Sequence, residues 1–240
     1  MSIDLLITII VTSTIQSIFG TGVLLFGTPI LLILGYDFFY LLGVLLPISV
    51  LINVLQLNGH LSEIKYSFYK KLIYFSAPVI IISLYFSYGY SININVYIGF
   101  FLILIAIKDY IPFLKKSITY LLYYETLYLA ILGFLHGLTN LGGSMLSGAI
   151  FNKKISKEGK RATIAICYLS MALIQILTLF ISGGSDLFIN ISNYPYWLIG
   201  PITFLIIEKF YSRIDEKMYN RYSNIFLALI GLVLVAKNYF

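Results

Sequence analysis

The stretch LGFLHGLTNLGGSMLSGAIF, from Leu132 to Phe151, decides the fold because it is apolar at both ends and interrupted in its middle. The interruption consists of small or polar residues, namely Thr139, Asn140, Gly142, Gly143 and Ser144. Glycine loses the most entropy on ordering, and small hydroxyl and amide side chains compete for backbone hydrogen bonds. We therefore predict two half-helices that meet at an irregular turn.

A weaker copy of this stretch lies near the start of the chain, as FGTGVLLFGTPILLILG from Phe19 to Gly35. At a constant offset of 122 positions, its Gly20, Thr21 and Gly22 match Gly142, Gly143 and Ser144. Lipid cannot satisfy freed amides and carbonyls, so a broken backbone at membrane depth must line a cavity or be covered by protein. We predict that the two breaks form the working site.

The composition predicts an all-α polytopic membrane protein, placed as a multi-pass protein in the cell membrane. The chain has 240 residues, of which 60% are hydrophobic and 11% charged, and its mean hydropathy is +0.93. Such continuous apolar sequence exceeds what a soluble core needs. The start has Asp4 and no basic region, so we expect the first segment to be retained. The single Cys167 excludes an internal disulfide.

Two of the predicted spans are too long to cross a bilayer once. We predict eight spans, in chain order Ile3–Leu34, Phe39–Leu57, Leu72–Ser87, Val96–Ile111, Ile118–Phe151, Ala162–Ser182, Tyr194–Ile207 and Ile225–Ala236. At 1.5 Å per residue the first and fifth would reach roughly 50 Å, against a hydrocarbon core of about 30 Å. Each must tilt strongly or fold back as a hairpin.

The positions of the basic residues favour hairpins. If Ile118–Phe151 enters and leaves on one side, 15 of the 16 Lys and Arg residues are cytoplasmic and Lys237 alone is outside. The connections around Tyr36, Tyr88–Asn95 and Gly183–Asn193 contain no Lys or Arg and then all face outward. The net charge of +6 is therefore a topology signal, and we expect no nucleic-acid partner.

Self-similarity runs through both halves of the chain. Asn53 matches Gln175 at an offset of 122, and Pro78 matches Pro201 at 123. We predict one domain over residues 1–240, made of two repeats at about 1–111 and 118–240, each with one broken or hairpin helix pair and three transmembrane helices. Because three crossings is an odd number, the second repeat must be inverted, as in many secondary transporters with a site near the midplane.

The two breaks predict a site for a small anion. The second half-helices begin near Val23 and Met145, and each N-terminus favours an anion by about 0.3 to 1 kcal/mol when exposed. Thr28 and Ser147 add further hydroxyl donors. Small residues would serve close helix packing equally well, and that alternative stays open. The predicted substrate-binding residues are Gly20, Thr21, Gly22, Asn53, Asn140, Gly142, Gly143, Ser144 and Gln175.

His136 and Glu125 are candidates for proton coupling. Glu125 lies eleven positions before His136, about three helical turns, so both could share a face with Asn140. Alternatively, Glu125 is hydrated at the cytoplasmic edge and His136 bonds a backbone carbonyl. Lys160 and Arg161 read as orientation signals, and all basic residues map to loops or span ends. We therefore expect neutral donors, and not a buried Arg or Lys, to determine selectivity.

No catalytic signature occurs in the sequence, so we predict that the protein is not an enzyme and has no metal or cofactor. Two alternatives to transport stay open. One is an intramembrane enzyme that uses His136 and Glu125 on a lipid or isoprenoid substrate, and the other is a non-transporting membrane scaffold. The sequence leaves the oligomeric state open, a homo-oligomer included.

The chain resembles the sulfite exporter TauE/SafE family of membrane permeases. The likeness is carried by FGTGVLLFGTP with Pro29, by its echo GFLHGLTNLGG and by the two-repeat layout at this length. It covers essentially the whole chain. The resemblance implies a permease that moves a small anion such as sulfite, an organosulfonate or a related sulfur oxyanion.

Overall fold

The computed structural model describes residues 2–90, 94–107, 110–151 and 153–209, and within these ranges the chain is helical without strands. Its α-helices are α1 (Ile3–Phe19), α2 (Val23–Ile33), α3 (Phe38–Leu57), α4 (Tyr66–Gly89), α5 (Ile94–Ile107), α6 (Pro112–Tyr123), α7 (Glu125–Thr139), α8 (Gly143–Phe151), α9 (Lys157–Ile181), α10 (Asp186–Ile189) and α11 (Tyr194–Ile207).

Three of these helices, α3, α4 and α9, are long and apolar enough to cross a membrane. The pair of α6 and α7 passes the same test together but is bent by 112°. With the shorter apolar helices around them, they make an integral membrane protein. The predicted span Ile225–Ala236 lies outside the described residues, as do the basic residues Lys108, Arg213, Lys217, Arg221 and Lys237.

The fifth predicted span begins too early. It was expected to run unbroken from Ile118 to the second break, but α6 ends at Tyr123 and α7 starts at Glu125. Glu125 is held by Lys71 at 2.5 Å and by Lys153 at 2.6 Å. These ion pairs fix the start of α7. Hydropathy alone does not reveal the bend between α6 and α7, because the residues on both sides of it are apolar.

Both long segments fold back on themselves, because the start and the end of each lie close together. In the first, the Tyr36 hydroxyl, which follows α2, donates to Asp4 Oδ2 at 2.9 Å at the start of α1. Burial raises the pKa of the Tyr36 phenol, which keeps it the donor. In the second, the Tyr128 hydroxyl in α7 donates to the Met145 carbonyl in α8 at 2.7 Å. The ion pair of Lys153 and Glu125 joins the two ends of that hairpin.

Each hairpin has a mouth, the end at which its first helix starts and its second helix ends. The two mouths lie at opposite ends of α11. At the first mouth, the Ser2 amide donates to the Tyr196 hydroxyl at 2.7 Å, in the first turn of α11. The other end of α11 is held by an ion pair of Glu208 with Arg161, near the start of α9. The second mouth lies there too, because Lys153 is only four positions before α9 begins.

The first arm of each hairpin packs on a helix from the other half of the chain: α7 on α4 and α1 on α11, around a centre where α3 packs on α9. The α7 contact is a backbone contact. A Cβ on Gly133 would lie 2.6 Å from the Ser76 carbonyl oxygen, and one on Gly137 would lie 2.8 Å from that of Ile80. Glycines four positions apart allow this close approach in lipid.

Candidate functional site

The first break is filled by the protein's own side chains. Gly20 ends α1 in the left-handed region, with φ of 79°, and its amide donates to the Gln16 carbonyl at 2.8 Å. The Gln16 side chain then turns back, and its Oε1 accepts from the Val23 amide at 3.0 Å. Its Nε2 lies 3.5 Å from both Asn53 Oδ1 and Gln56 Oε1. The first amide of α2 is therefore already satisfied.

The second break uses the same backbone device with a different residue. Asn140 ends α7 with φ of 61°, and its amide donates to the His136 carbonyl at 2.8 Å. Glycine and asparagine are the residues that adopt this left-handed conformation at least cost. The two helix ends thus match at an offset of 120 positions, with Gly20 equivalent to Asn140 and Gln16 equivalent to His136.

The predicted offset of 122 at the breaks is therefore wrong. It matched glycine with glycine, whereas the structure matches the left-handed residues that end α1 and α7. For the same reason α8 begins at Gly143 and not near Met145. Between α3 and α9 the offset of 122 relates two residues that each lie beside a break. Asn53 lies beside Gln16 of the first break, and Gln175 donates to the His136 carbonyl of the second at 3.3 Å.

Unused polar atoms gather at the second break. His136, Asn140 and Gln175 are all fully buried. Both ring nitrogens of His136, Oδ1 of Asn140, Oε1 of Gln175 and Oγ of Ser147 have no hydrogen-bond partner in the described part of the chain. More than about 90% of buried polar groups in proteins are partnered. A cluster of this kind is a candidate place for water or a ligand.

The glycines of the second break allow close contacts that a side chain would block. A Cβ on Gly143 would fall on the Tyr168 hydroxyl, and one on Gly142 would lie 2.6 Å from the His136 Cβ. The His136 and Tyr168 rings meet edge to face, 6.4 Å apart. Ser144 is half-buried, and its hydroxyl donates locally to the Leu141 carbonyl at 3.2 Å. The two glycines thus hold α8 against His136 and Tyr168.

The two breaks are offset from each other along α2 and do not meet at one point. Asn140 Nδ2 donates to Thr28 Oγ1 at 2.9 Å, and Thr28 is five residues into α2. At 1.5 Å per residue, the second break lies about 8 Å along α2 from the first. The first arms cause this offset, because α1 and α7 have 17 and 15 residues and are each longer than half a hydrocarbon core of about 30 Å.

Sequence analysis missed a partly buried cation beside the first break. Arg161 does lie near a span end, but its side chain points inward and is only 10% exposed. Its Nη1 lies 2.7 Å from Glu208 Oε1, and its Nη2 donates to the Ser17 carbonyl at 3.2 Å. The carbonyls at the end of α1 lack helical partners and carry the negative end of the helix dipole, which attracts a guanidinium. The position of Arg161 along the chain does not show that its side chain points inward.

Glu125 lies at the second mouth, apart from His136. The eleven positions between them correspond to about 16 Å along α7, and the Glu125 carboxylate is engaged by Lys71 and Lys153. Over the described ranges, no group of three or more His, Cys, Asp or Glu side chains could hold a metal ion. Gln16, which sequence analysis also missed, could have been found from its offset of 120 to His136.

One comparison with known proteins identifies the family. The sequence model of the family described as sulfite exporter TauE/SafE matches residues 5–234, nearly the whole chain. The chain therefore belongs to that family, and membership implies a membrane transporter of sulfur anions. No match to the chain was found among curated proteins or among solved structures.

Proposed function

We propose that this member of the TauE/SafE family is a permease of the cell membrane that carries a small sulfur oxyanion, such as sulfite or an organosulfonate, and binds it at the second break. The observation behind the proposal is the cluster of buried polar atoms without partners at His136, Asn140 and Gln175. Family membership supports a sulfur anion as the substrate, and the cluster supports the second break as its binding site.

The chemistry of the cluster suits an oxyanion that keeps part of its hydration or its proton. A His136 ring N–H donates to an anionic oxygen, while the amide oxygens of Asn140 and Gln175 accept from a retained water or from a protonated oxygen. The N-terminus of α8 adds a favourable term of up to about 2 kcal/mol when partly buried. Dehydrating an ion costs several kcal/mol. Binding should therefore be modest and release easy, as a carrier needs.

The two halves, proposed as inverted repeats, would supply the alternating motion. The pairing of helices supports the inversion, because α11 packs on α1 as α4 packs on α7. The approach is close in both pairs. A Cβ on Gly200 in α11 would lie 2.4 Å from Cγ2 of Ile48 in α3 and 3.3 Å from the Ser13 hydroxyl in α1, and Ser13 is 120 positions before Gly133. Rocking of one hairpin unit against the other would expose the site to each side in turn.

Ligand-dependent thermal stabilisation of the purified protein tests the proposal. We expect sulfite and methanesulfonate to raise the melting temperature, and choline and glucose to leave it unchanged. Asn140→Leu and Gln175→Leu should abolish the rise because each removes a polar group and adds apolar bulk. Thr178→Ala is the matched control. Its hydroxyl, one turn beyond Gln175, bonds the Ile174 carbonyl within α9 at 2.8 Å.

Stabilisation by a cation or a sugar that no oxyanion displaces would contradict the proposal. An intramembrane enzyme would instead show product formed from a lipid or isoprenoid substrate by the purified protein. The separation of about 16 Å between Glu125 and His136 along α7 argues against their acting as one acid–base pair. A non-transporting scaffold would keep its fold and show no solute flux in proteoliposomes.

A further inference from the structure

The ion pair of Arg161 and Glu208 lies at the tip of the first hairpin. A Cβ on Gly20 would lie 3.4 Å from Cγ of Arg161 and 3.4 Å from Nε2 of Gln56, so the guanidinium stem borders the break directly. The Phe204 ring in α11 covers the guanidinium, with 5.9 Å between its centroid and Cζ. The start of α9, the end of α1 and the end of α11 therefore all converge on one cation.

The two partners of this ion pair differ in exposure. Glu208 is 33% exposed and follows the last residue of α11, whereas Arg161 is 10% exposed. Arginine keeps its charge under all ordinary conditions, and a buried guanidinium requires an anionic partner. The carboxylate is thus the partner that can leave toward water, and the guanidinium stays.

A carboxylate and a sulfur oxyanion present the same chemistry to arginine. Both offer two oxygens of one anion at a spacing that the guanidinium fork can bind in a bidentate manner. We propose that Arg161 forms a second anion-binding site, called the station below, at the lysine-rich end of the bundle. The Glu208 carboxylate occupies this site until the transported oxyanion displaces it. This inference rests on the proposed transport of an oxyanion.

The station has a direct connection to the first hairpin. Arg161 donates to the Ser17 carbonyl, three positions before Gly20, so a change in its anion changes a contact at the end of α1. The offset of about 8 Å along α2 leaves room for two stations in sequence. An oxyanion leaving the second break on this side would meet Arg161 before it meets bulk water.

Calorimetric binding of sulfite and methanesulfonate to the full chain tests the station. Glu208→Gln removes the competing charge and should tighten binding by about tenfold, which corresponds to one charge-assisted hydrogen bond. Arg161→Gln should weaken binding by about tenfold or more. Arg161→Lys should give an intermediate affinity, because it keeps the charge but loses the fork. Lys160→Gln removes the same charge from the neighbouring position and should change affinity less than about twofold.

The outcomes separate this inference from the proposed function. If the unaltered protein binds neither anion, the proposed function fails. If it binds them and the affinities of Glu208→Gln and Arg161→Gln stay unchanged, the station alone is overturned. Should Arg161→Gln fail to fold, the double variant Arg161→Gln with Glu208→Gln keeps a neutral hydrogen-bonding pair. Weaker binding by the folded double variant supports the station, and unchanged affinity overturns it.

Discussion

The two hairpins have the same backbone conformation at their breaks and differ in the side chains that occupy the breaks. Each first arm ends at a left-handed residue whose amide bonds the carbonyl four positions back, at Gln16 in one hairpin and at His136 in the other. The Gln16 side chain caps the second arm, whereas the imidazole of His136 has no hydrogen-bond partner among the described residues. A broken helix is thus not in itself a binding site. The residue one turn before the break differs in its bonding, since Gln16 caps the first amide of α2 and His136 makes no such contact.

The comparison of the two hairpins as opposed units fails if both mouths face the same side of the membrane. Lys154→Cys lies beside the second mouth, and Asp186→Cys lies at the start of α10, before α11; both positions are exposed. We expect a membrane-impermeant maleimide to label position 154 only from the cytoplasm and position 186 only from outside. The native Cys167 is fully buried and should give little background. Labelling of both positions from one side would rule out opposed hairpins.

A large loss of stability is expected from Gly22→Ala. The new Cβ would lie 2.5 Å from the Gln16 amide nitrogen and 2.6 Å from the Thr12 carbonyl oxygen, and neither backbone can yield without opening the first hairpin. Overpacking of this kind costs about 1 to 3 kcal/mol, occasionally more. The monodisperse yield and the melting temperature measure the loss. Gly89→Ala, where a Cβ meets nothing within 4 Å, is the control and should keep both.

A smaller effect, on stability and binding together, is expected from Gln16→Ala. The Val23 amide loses its cap, which costs about 0.5 to 2 kcal/mol, a typical range for a lost N-cap. The freed amide should also let an oxyanion bind at the first break, so the thermal shift with sulfite should increase. Thr14→Ala, which removes a hydroxyl bonded to the Ile10 carbonyl in the same helix, should change neither quantity. An unchanged sulfite shift in folded Gln16→Ala would count against the comparison.

The smallest expected effect is that of His136→Gln, which gives the second hairpin the residue of the first. Glutamine keeps a polar group at this position but cannot titrate. We expect oxyanion binding to weaken by a few fold, because the new side chain can compete for the start of α8 as Gln16 does for the Val23 amide. We also expect the pH dependence of flux in proteoliposomes to flatten, because the titratable imidazole is gone. A pH profile identical to that of the unaltered protein would leave His136 a structural residue.

The sequence was sufficient to predict the hairpins, because excess length, helix-breaking residues and the distribution of basic residues are all properties of residue order. It was insufficient for the offset between the two breaks, which depends on where α7 starts, and that start is set by ion pairs of Glu125 with Lys71 and Lys153. The equivalence of Gly20 and Asn140 was also missed. It follows from backbone dihedral angles, which two different residue types satisfy.

The candidate site was likewise predictable from the sequence only in part. His136 and Asn140 were predicted from their spacing to share a helix face, and Gln175 was predicted separately as a residue of the same site. The contacts in the structure bring the three residues together. Arg161 was predicted as a residue that marks orientation, because a hydropathy pattern gives a position and not the direction of a long side chain. Only the packing of three helix ends around the guanidinium reveals that it points inward.

The crossed packing of α7 on α4 and of α1 on α11 has an evolutionary consequence. Each half of the chain supplies the helix against which the other half's hairpin closes, so neither half buries its own polar break when it is alone. If the chain were cut within α6, the two fragments should behave as an obligate heterodimer, recovered together or degraded separately. If the halves are inverted repeats, as proposed, an ancestor with half this length would have needed two copies inserted in opposite orientations, and joining them into one chain would have removed that requirement for dual insertion.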